Sequence, residues 1–434
     1  MFDPGAILNE TEAREAKAAL AEIEESLSSK HFFDLILAEL PAEVVGKYQQ
    51  ALISRRNNLT RLLGAYEAAR RGDYAELITL ASNDPGLVLI VARITRGYSQ
   101  KELARLLGLK EQQIQRYESD RYRSISISNY RRIAQVLGVR WEMKLSDKPD
   151  RWFGSGWKLA TEIRADDVKK VVKHAKQYHW FDDDSPELAG EESYNYLQRY
   201  ISDQLLNYGS PTLLRTGLNV DDMSNDLLLV AWRARVTRVA ETIAASQKQK
   251  YSLLDIVWLR DLVRLSQLED GPARVTKFLL SHGIILVVEP HIPGLKLDGA
   301  AFLMGETPVI GMTIRRDTLD NFWFTLLHEL AHVVLHYQTG LRLGFFDDVE
   351  KSDIDEIEQE ANAFASDVLI PPERWIRSPA RITKSAAVIE KFAKEANVHP
   401  AVVFGRIQKE RGDYSIFSDR TGRGLVRKFF FEAH

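Results

Sequence analysis

The stretch DNFWFTLLHELAHVVLH, residues 320–336, has the strong apolar periodicity of a long amphipathic helix. His328 and His332 are four residues apart, so a helix places both imidazoles on one face, where they can bind a single metal ion. Glu329 cannot share their direction and is suited to accept a proton from water as a general base. We therefore predict a catalytic metal site on this helix, which we expect over residues 318–338.

A second amphipathic helix is predicted over residues 353–370, and it offers the third ligand. Within IEQEANAF (357–364), Glu358 and Asn362 are four residues apart and share a helical face. This pattern is typical of a Glu ligand followed one turn later by an amide that orients a ligating histidine. Glu360 points elsewhere and is the weaker candidate for the third ligand.

The expected cofactor is Zn²⁺. The chain contains no cysteine, so a metal site must use His, Asp and Glu side chains. Two imidazoles and one carboxylate with an open fourth position hold catalytic zinc in many peptidases. His336 lies about 12 Å along the helix from His328, so we expect it to support a ligand or to pack in the core. The alternatives are a degenerate or purely structural metal site, and a helix whose histidines bind no metal.

The sequence around these helices predicts a small sheet. GIILVVE (283–289) and PVIGMTI (308–314) have the β-branched, apolar character of buried strands. Helical patterns precede them at 253–281 and follow at 384–411. The predicted fold class is therefore mostly α with a small β-sheet (α+β), divided into several domains.

These segments together resemble the ImmA/IrrE-type metallopeptidases. The resemblance covers roughly residues 255–410 and rests on LDGAAF (297–302), PVIGMTI (308–314), the helix at 320–336, EQEANAFASDVLIPP (358–372) and NVHPAVVFGRIQKE (397–410). It implies a zincin-like metallopeptidase in which Glu358 is the third zinc ligand. It also implies a substrate class, because that family is associated with cutting helix-turn-helix repressors.

Residues 86–146 contain a second set of motifs, with the pattern of a helix-turn-helix. Ser99 and Glu102 form a capping box that marks a helix start, and Gly108 provides a tight turn before the next helix. That helix, KEQQIQRYES (110–119), is expected to bury Ile114 and Tyr117. Its polar face is suited to read base edges in the major groove and consists of Glu111, Gln112, Gln113 and Arg116.

This module resembles the Cro and phage-repressor type of helix-turn-helix. The resemblance implies that Gln100 contacts backbone phosphate and that Arg93 and Glu118 form an internal ion pair. Residues 93–144 carry twelve Arg or Lys against five acids, a net charge of +7 within a chain of net charge −3. Such a local basic region is typical of DNA binding. The alternative is a helical module with a solvated charged face that binds only proteins.

The expected order of domains is helical region (1–85), helix-turn-helix (86–146), acidic helical connector (147–252) and metallopeptidase with a helical extension (253–434). The connector is predicted from a run of ten acids against two arginines over residues 182–226, which indicates a change of partner. The ten acids are Asp182, Asp183, Asp184, Glu187, Glu191, Glu192, Asp203, Asp221, Asp222 and Asp226. The helix ETEAREAKAALAEIEE (10–25) resembles the leader of HigA-like antitoxins and suggests a homodimer, since most such DNA readers need two half-sites.

The sequence contains no signal peptide and no apolar stretch long enough to span a membrane, so we expect a cytoplasmic protein. The expected partners are a double-stranded DNA operator and a protein substrate, either the chain itself or a helix-turn-helix repressor. The predicted function is a transcription regulator whose peptidase relieves repression. Two alternatives stay open: a repressor or antitoxin whose zinc domain is a sensor without proteolytic activity, and a peptidase whose helix-turn-helix only docks protein partners.

Overall fold

The computed structural model of the protein describes most of the chain. The described residues are 5–81, 84–140, 152–153, 157–158, 165–181, 196–197, 199–201, 214–216, 227–247, 249–337, 341 and 351–431. All ten acids of the predicted connector run lie outside the described residues, so its helical structure stays a prediction. In the described part of the chain, no helix combines the length and the apolar character needed to cross a membrane.

Helices account for most of the secondary structure of the described residues. In chain order they are α1 (Glu10–Ser28), α2 (Lys30–Leu37), α3 (Ala42–Arg70), α4 (Ala75–Ala81), α5 (Pro85–Thr95), α6 (Gln100–Leu107), α7 (Glu111–Ser119), α8 (Ile127–Leu137), α9 (Ala165–Gln177), α10 (Leu227–Ala244), α11 (Leu259–Leu265), α12 (Gly271–Ser281), α13 (Leu319–Leu335), α14 (Lys351–Leu369), α15 (Pro372–Ile376), α16 (Ala386–Ala396) and α17 (Pro400–Arg411).

The strands form one antiparallel pair and one small sheet. They are β1 (Trp152–Phe153), β2 (Trp157–Lys158), β3 (Leu214–Thr216), β4 (Ile285–Val288), β5 (Gly299–Met304) and β6 (Thr307–Met312). Strands β1 and β2 pair with each other, and the sheet has the order β3–β5–β6–β4. In the sheet, β4 runs parallel to β6, whereas β5 is antiparallel to both β6 and β3. The chain thus has the predicted fold class, mostly α with a small β-sheet.

The chain divides into two compact units. One unit contains residues 2–29 and 52–149, and the other contains residues 30–51 and 150–434. Each unit therefore draws on separated parts of the sequence. The four consecutive domains expected from the sequence stay a prediction.

In the unit of residues 2–29 and 52–149, helices α5 to α8 surround a small apolar core. Helix α5 begins at Pro85 and is capped by Asp84, whose side chain accepts hydrogen bonds from the backbone amides of Gly86 and Leu87. Proline suits this first position because the amide that it lacks has no partner inside the helix. The α5 residue Arg93 donates a hydrogen bond to the Leu8 carbonyl (3.0 Å), which joins the segment before α1 to this core.

In the other unit, the sheet lies between two groups of helices. Helix α13 packs against β5 on one side and against α14 and α17. Helices α9 and α10 form an apolar core with the sheet, in which Trp232 and Phe302 are almost completely buried. The sheet and the long helix α14 therefore hold α13 from several directions.

The helix expected over 253–281 is instead two helices, α11 and α12, with a turn between them. The reason lies in Gly271-Pro272 at the start of α12. A Cβ on Gly271 would lie 2.1 Å from the Leu265 carbonyl oxygen, so the chain turns where only glycine fits. Proline at the next position favours a new helix start over the continuation of the old helix.

Candidate metal centre and helix-turn-helix surface

Helix α13 holds His328, Glu329 and His332 in the interior of its unit. Its apolar side chains face several neighbouring elements, so the helix is buried along nearly its whole length. His328, Glu329 and His332 have no exposed surface. Polar groups in such surroundings need partners, and those of the two histidines come mainly from α14.

His328, His332 and Glu358 converge at one point. Their potential ligand atoms all lie within 4.8 Å of one another. The Nε2 atoms of the two histidines are 3.1 Å apart, and the two carboxylate oxygens of Glu358 lie 3.2 Å from His328 Nε2 and 3.5 Å from His332 Nε2. Among the described residues this is the group of His, Asp and Glu side chains that could hold a metal ion. The geometry thus brings together the three ligands expected from the sequence.

The opposite nitrogens of both histidines have hydrogen-bond partners. His328 Nδ1 lies 3.2 Å from Asn362 Oδ1, which can only accept, so Nδ1 carries the proton and Nε2 presents its lone pair. His332 Nδ1 lies 3.1 Å from His336 Nδ1, and His336 Nε2 lies 3.0 Å from Glu360 Oε2. If His332 also presents Nε2, its Nδ1–H donates to His336, whose Nε2–H donates to Glu360. Such outer contacts fix the orientation of metal-binding imidazoles.

The electrostatic surroundings favour a cation between these side chains. Burial lowers the pKa of His332 well below its ordinary value, and the nearby imidazoles act in the same direction, so this ring is neutral. For His328, burial also opposes the charged form, but the hydrogen bond to Glu358 and the charge of Glu329 outweigh it and raise the pKa. Carboxylates that stabilise a proton on His328 equally stabilise a metal cation at the same place.

Glu329 points toward strand β5 and lies against Gly299. A Cβ on Gly299 would lie 2.8 Å from Glu329 Oε1 and 2.9 Å from the Thr325 methyl carbon. The strand can therefore approach the helix closely only because this position is glycine. The sequence motif LDGAAF contains this glycine, but the contact joins residues 30 positions apart, and the helical spacing around Glu329 does not reveal it.

A cavity of about 260 Å³ lies one helical turn before the triad. Phe324, on its wall, has its ring centroid 6.4 Å from that of His328. Residues from three helices line it, among them Phe324, Thr325, Ser366, Leu369, Arg406 and Lys409. Lys409 holds its ammonium 4.1 Å from the centroid of the Phe324 ring, and burial lowers the pKa of this lysine. The cavity has room for one large side chain.

The helix-turn-helix expected from the sequence is formed by α6 and α7. Ser99 and Glu102 make the capping box, each side chain bonding to the backbone of the other residue. Gly108 ends α6 with φ of 64°, a left-handed conformation that favours glycine. These local features follow the sequence prediction closely because they depend on residues only a few positions apart.

Arg93 and Glu118 form the expected ion pair in the interior of this module. Arg93 donates two hydrogen bonds to the carboxylate, with N···O distances of 2.5 and 2.9 Å. Gln100 donates a third hydrogen bond to Glu118, at 2.7 Å. The side chain of Gln100 is therefore half-buried and bonded within the protein, and its predicted phosphate contact stays a prediction.

The polar face of α7 is open to solvent. Glu111, Gln112 and Arg116 are exposed, whereas Gln113 is half-buried and its side chain accepts a hydrogen bond from the Lys110 amide (3.3 Å). The opposite face buries Ile114 and Tyr117. Exposed amide and guanidinium groups on the second helix of such a motif are suited to base edges, although Gln113 is partly engaged in capping its own helix.

Comparison with known families agrees with both the helix-turn-helix and the candidate metal centre. Residues 90–143 match a family model described as a helix-turn-helix, and residues 285–407 match one described as an IrrE N-terminal-like domain. A search of curated proteins and a search of solved structures found no match for the chain. The protein thus combines a helix-turn-helix with a metallopeptidase-type domain. More specifically, that second domain is IrrE N-terminal-like, and the predicted fusion is confirmed.

Proposed function

We propose that the protein is a DNA-binding transcription regulator with a zinc-dependent endopeptidase domain that hydrolyses a peptide bond in itself or in a partner regulator and so relieves repression. The observation that supports it best is the buried Glu329 beside the convergence of His328, His332 and Glu358. A site that only bound metal would have no need of a second, non-ligating carboxylate beside the three ligands.

The residues present fit zinc. Two neutral imidazole nitrogens and one carboxylate form the donor set of many catalytic zinc sites, and one coordination position remains for water or substrate. His328, His332 and Glu358 would hold the ion, while Asn362 and His336 would keep the two rings oriented. Calcium and magnesium are poor candidates, since they prefer oxygen ligands.

The chemistry divides between the ion and the protein. Zinc held there would act as a Lewis acid and would lower the pKa of water to about 7. Glu329 would take the proton from the attacking water and donate it to the leaving amine, which is the usual work of a general base and then a general acid. Burial of Glu329 restricts competing hydrogen bonds to bulk water. The neighbouring cavity would receive a side chain of the substrate and so position the scissile bond.

The helix-turn-helix would direct the protein to its operator DNA. We infer that α7 enters the major groove of an operator and that Glu111, Gln112, Gln113 and Arg116 contact base edges, while Gln100 contacts phosphate. We expect two chains to bind two half-sites as a homodimer.

The decisive experiment compares the full-length wild-type chain with Glu329→Gln. Each is loaded with Zn²⁺ and incubated with and without a DNA duplex from its own promoter region, and products are identified by mass spectrometry. Wild type should release fragments of itself or of an added helix-turn-helix repressor; Glu329→Gln should keep its zinc and release none. Glu356→Gln, which changes an exposed carboxylate on α14, is the matched control.

Equal cleavage by wild type and Glu329→Gln would exclude the proposed mechanism. Zinc binding without any cleavage in wild type would instead favour the sensor alternative.

DNA recognition needs its own test. Arg116→Ala should weaken operator binding by about 1–3 kcal/mol if the guanidinium reads a base, measured by a mobility or anisotropy titration at fixed salt. Arg14→Ala, which removes an exposed charge from α1, should leave binding unchanged. If wild type fails to bind even at low salt, the helix-turn-helix docks proteins only.

A further inference from the structure

Strand β3 lies far from β5 in the sequence and pairs with its outer edge. The register places Leu214 opposite Ala301, Arg215 opposite Ala300 and Thr216 opposite Gly299, in antiparallel orientation. On its other edge, β5 pairs with β6. Residues 214–216 precede residues 285–407, which match the IrrE N-terminal-like model, so β3 lies outside the matched segment.

The edge that β3 occupies runs beside the candidate catalytic residues. Gly299, at the start of β5, lies directly against Glu329, and α13 packs along the same strand. Thr216 is the partner of Gly299 across the ladder, and paired residues in an antiparallel ladder have Cα atoms about 4.5–5.5 Å apart. A backbone added to this edge of β5 therefore passes beside the general base.

An endopeptidase has to hold its substrate in an extended form, and an open strand edge does so through main-chain hydrogen bonds. The outer edge of β5 combines such bonds with immediate access to Glu329. No other strand has this combination among the described residues, because β6 is paired on both sides and β4 lies at the far end of the sheet.

We propose that residues 214–216 of the connector occupy the outer edge of β5 as an internal competitor of an extended peptide substrate. The proposal rests on the peptidase function proposed above. A substrate supplied in trans has to displace this segment before its own backbone can pair with β5. Displacement is feasible because a strand of three residues makes only a few hydrogen bonds, each of modest net strength.

Backbone amides alternate in direction along β3, and this alternation allows two proline variants to be matched. Backbone amides of successive strand residues point to opposite sides, so either the amide of Arg215 or those of Leu214 and Thr216 face β5. Proline removes the amide hydrogen without leaving the extended region. Arg215→Pro and the double variant Leu214→Pro/Thr216→Pro therefore form a pair. One of the two removes hydrogen bonds to β5, and the other removes only amides that point away from it.

The experiment uses the full-length chain in a Glu329→Gln background, so that no peptide is consumed. Hydrogen–deuterium exchange reports on the β5 amides of residues 299–301, and fluorescence anisotropy measures binding of a labelled peptide with the sequence of residues 211–219, PTLLRTGLN. One proline variant should show faster exchange in β5 and bind the peptide about threefold or more tightly, as expected for loss of one or two backbone hydrogen bonds. The other should resemble the parent.

Unchanged exchange and unchanged peptide affinity in both variants would overturn the proposal. Equal changes in both would also overturn it, because loss of β3 pairing depends on which amides face β5. These readouts are independent of catalysis. If one proline variant binds the peptide more tightly but neither wild type nor that variant with Glu329 intact cuts any peptide, the proposed peptidase function would be contradicted and the docking surface at the edge of β5 supported.

Discussion

Glu358 and Glu360 lie two residues apart on α14 and have different partners. Glu358 approaches the Nε2 atoms of His328 and His332, whereas Glu360 bonds to His336 and reaches the triad only through that ring. The hydrogen bond from His336 lowers the pKa of Glu360, so this carboxylate is ionised and can hold the ring in place. Glu358 would bind the metal. Glu360 would orient His336, whose ring contacts the proposed ligand His332.

Replacement of these two residues should therefore have different effects on zinc. Glu358→Ala removes one of three ligands and should abolish stoichiometric zinc binding. Glu360→Ala should keep one zinc per chain but weaken its affinity by about 10–100-fold, as is usual when an outer partner is lost. Elemental analysis gives the stoichiometry, and titration with a competing chelator gives the affinity.

Glu356→Ala on the same helix is the control for both, since this residue is exposed and should leave the zinc unchanged. If Glu358→Ala retained one zinc while Glu360→Ala lost it, the assignment of the third ligand would be wrong and Glu360 would take its place.

Gly299→Ala tests the close approach of β5 to the general base. The added Cβ would lie 2.8 Å from Glu329 Oε1, so the strand or the carboxylate has to move. Misplacement of a catalytic group by about 1 Å costs on the order of 100-fold in rate, and we expect a loss of about 10–100-fold in kcat. Zinc content should not change, because the atoms nearest to the added Cβ belong to Glu329 and Thr325, and neither is a proposed ligand.

Gly46→Ala is the control for the substitution itself, since a Cβ there meets no atom within 4 Å. Steady-state kinetics on a peptide identified as a substrate, together with zinc analysis, gives both readouts. Unchanged kcat in Gly299→Ala would mean that the position of Glu329 does not depend on β5.

Local spacing explains which site residues could be predicted. His328 and His332 follow from a separation of four on one helix, and Glu358 with Asn362 follows from the same rule on another. The hydrogen bond between His336 and Glu360 and the close approach of Gly299 to Glu329 join separate elements, and no helical period encodes which residues will meet. Sequence reasoning therefore identified the proposed ligands and the supporting residues Asn362 and His336, but it did not predict these two contacts.

At the scale of elements, helix α9 carries a buried histidine, His174, whose pKa is lowered. His174 is 3% exposed, and its ring lies next to those of Tyr178 and Trp180. Burial lowers its pKa to about 4, and repulsion from His291 acts in the same direction. The ring is neutral in the folded protein at neutral pH, and charging it would disturb the packing of α9 on its core.

The pH dependence of stability follows from this pKa. The unfolded chain binds a proton at His174 near pH 6.5, whereas the folded chain does so only near pH 4. The folded state is therefore favoured above pH 6.5, and the free energy of unfolding falls as the pH drops from 6.5 to 4. The melting temperature of His174→Gln should fall less over this pH range than that of wild type.

Thermal unfolding at several pH values between 4 and 7.5 measures the difference between the two chains. His31→Gln, at an exposed position of α2, should behave as wild type. A His174→Gln variant whose melting temperature falls as steeply with acid as that of wild type would show that the charge on His174 does not control α9.

Elements differ in how far sequence predicts them. Helices α13 and α14 and strands β4 and β6 were predicted within a few residues of their bounds, because each has a strong apolar pattern of its own. The break between α11 and α12 depends on a close approach at Gly271, which no periodicity shows. Strand β3 exists through its pairing with β5, more than 80 residues away, and such non-local pairing leaves no sign in three residues of sequence.

At the scale of the whole molecule, the order of the chain does not follow its compact units. Residues 30–51, which contain α2 and the start of α3, belong with residues 150–434, whereas the segments on either side of them belong with the helix-turn-helix. Apolar spacing predicts that these segments are helical, but it does not reveal which core a helix joins. The four consecutive domains stay a prediction.

Specific contacts hold residues 30–51 in their unit. The buried Tyr48 donates a hydrogen bond to the Leu253 carbonyl (2.7 Å), and Lys47 forms an ion pair with Asp367 of α14 (3.1 Å). Val44 and Val45 are buried beside them. Apolar burial of this extent outweighs this partly exposed ion pair and the exposed pair of Glu39 with Arg260.

One cut between the two units should therefore not separate the protein into independent parts. A site for a specific protease, inserted between Ser146 and Asp147, divides the chain after the helix-turn-helix. The N-terminal fragment keeps residues 30–51, which remain packed in the other unit, so the two fragments should co-elute on size exclusion and separate only in denaturant. Tyr48→Ala combined with Val44→Ala should weaken this association, because it removes a buried aromatic ring and a buried valine, at a cost of about 3–5 kcal/mol for the aromatic alone. Arg14→Ala is the exposed control.

Free separation of the wild-type fragments would mean that a single cleavage could release the DNA-binding unit by itself. Co-elution would mean that relief of repression has to act through a change within the nicked complex or through cleavage of another protein.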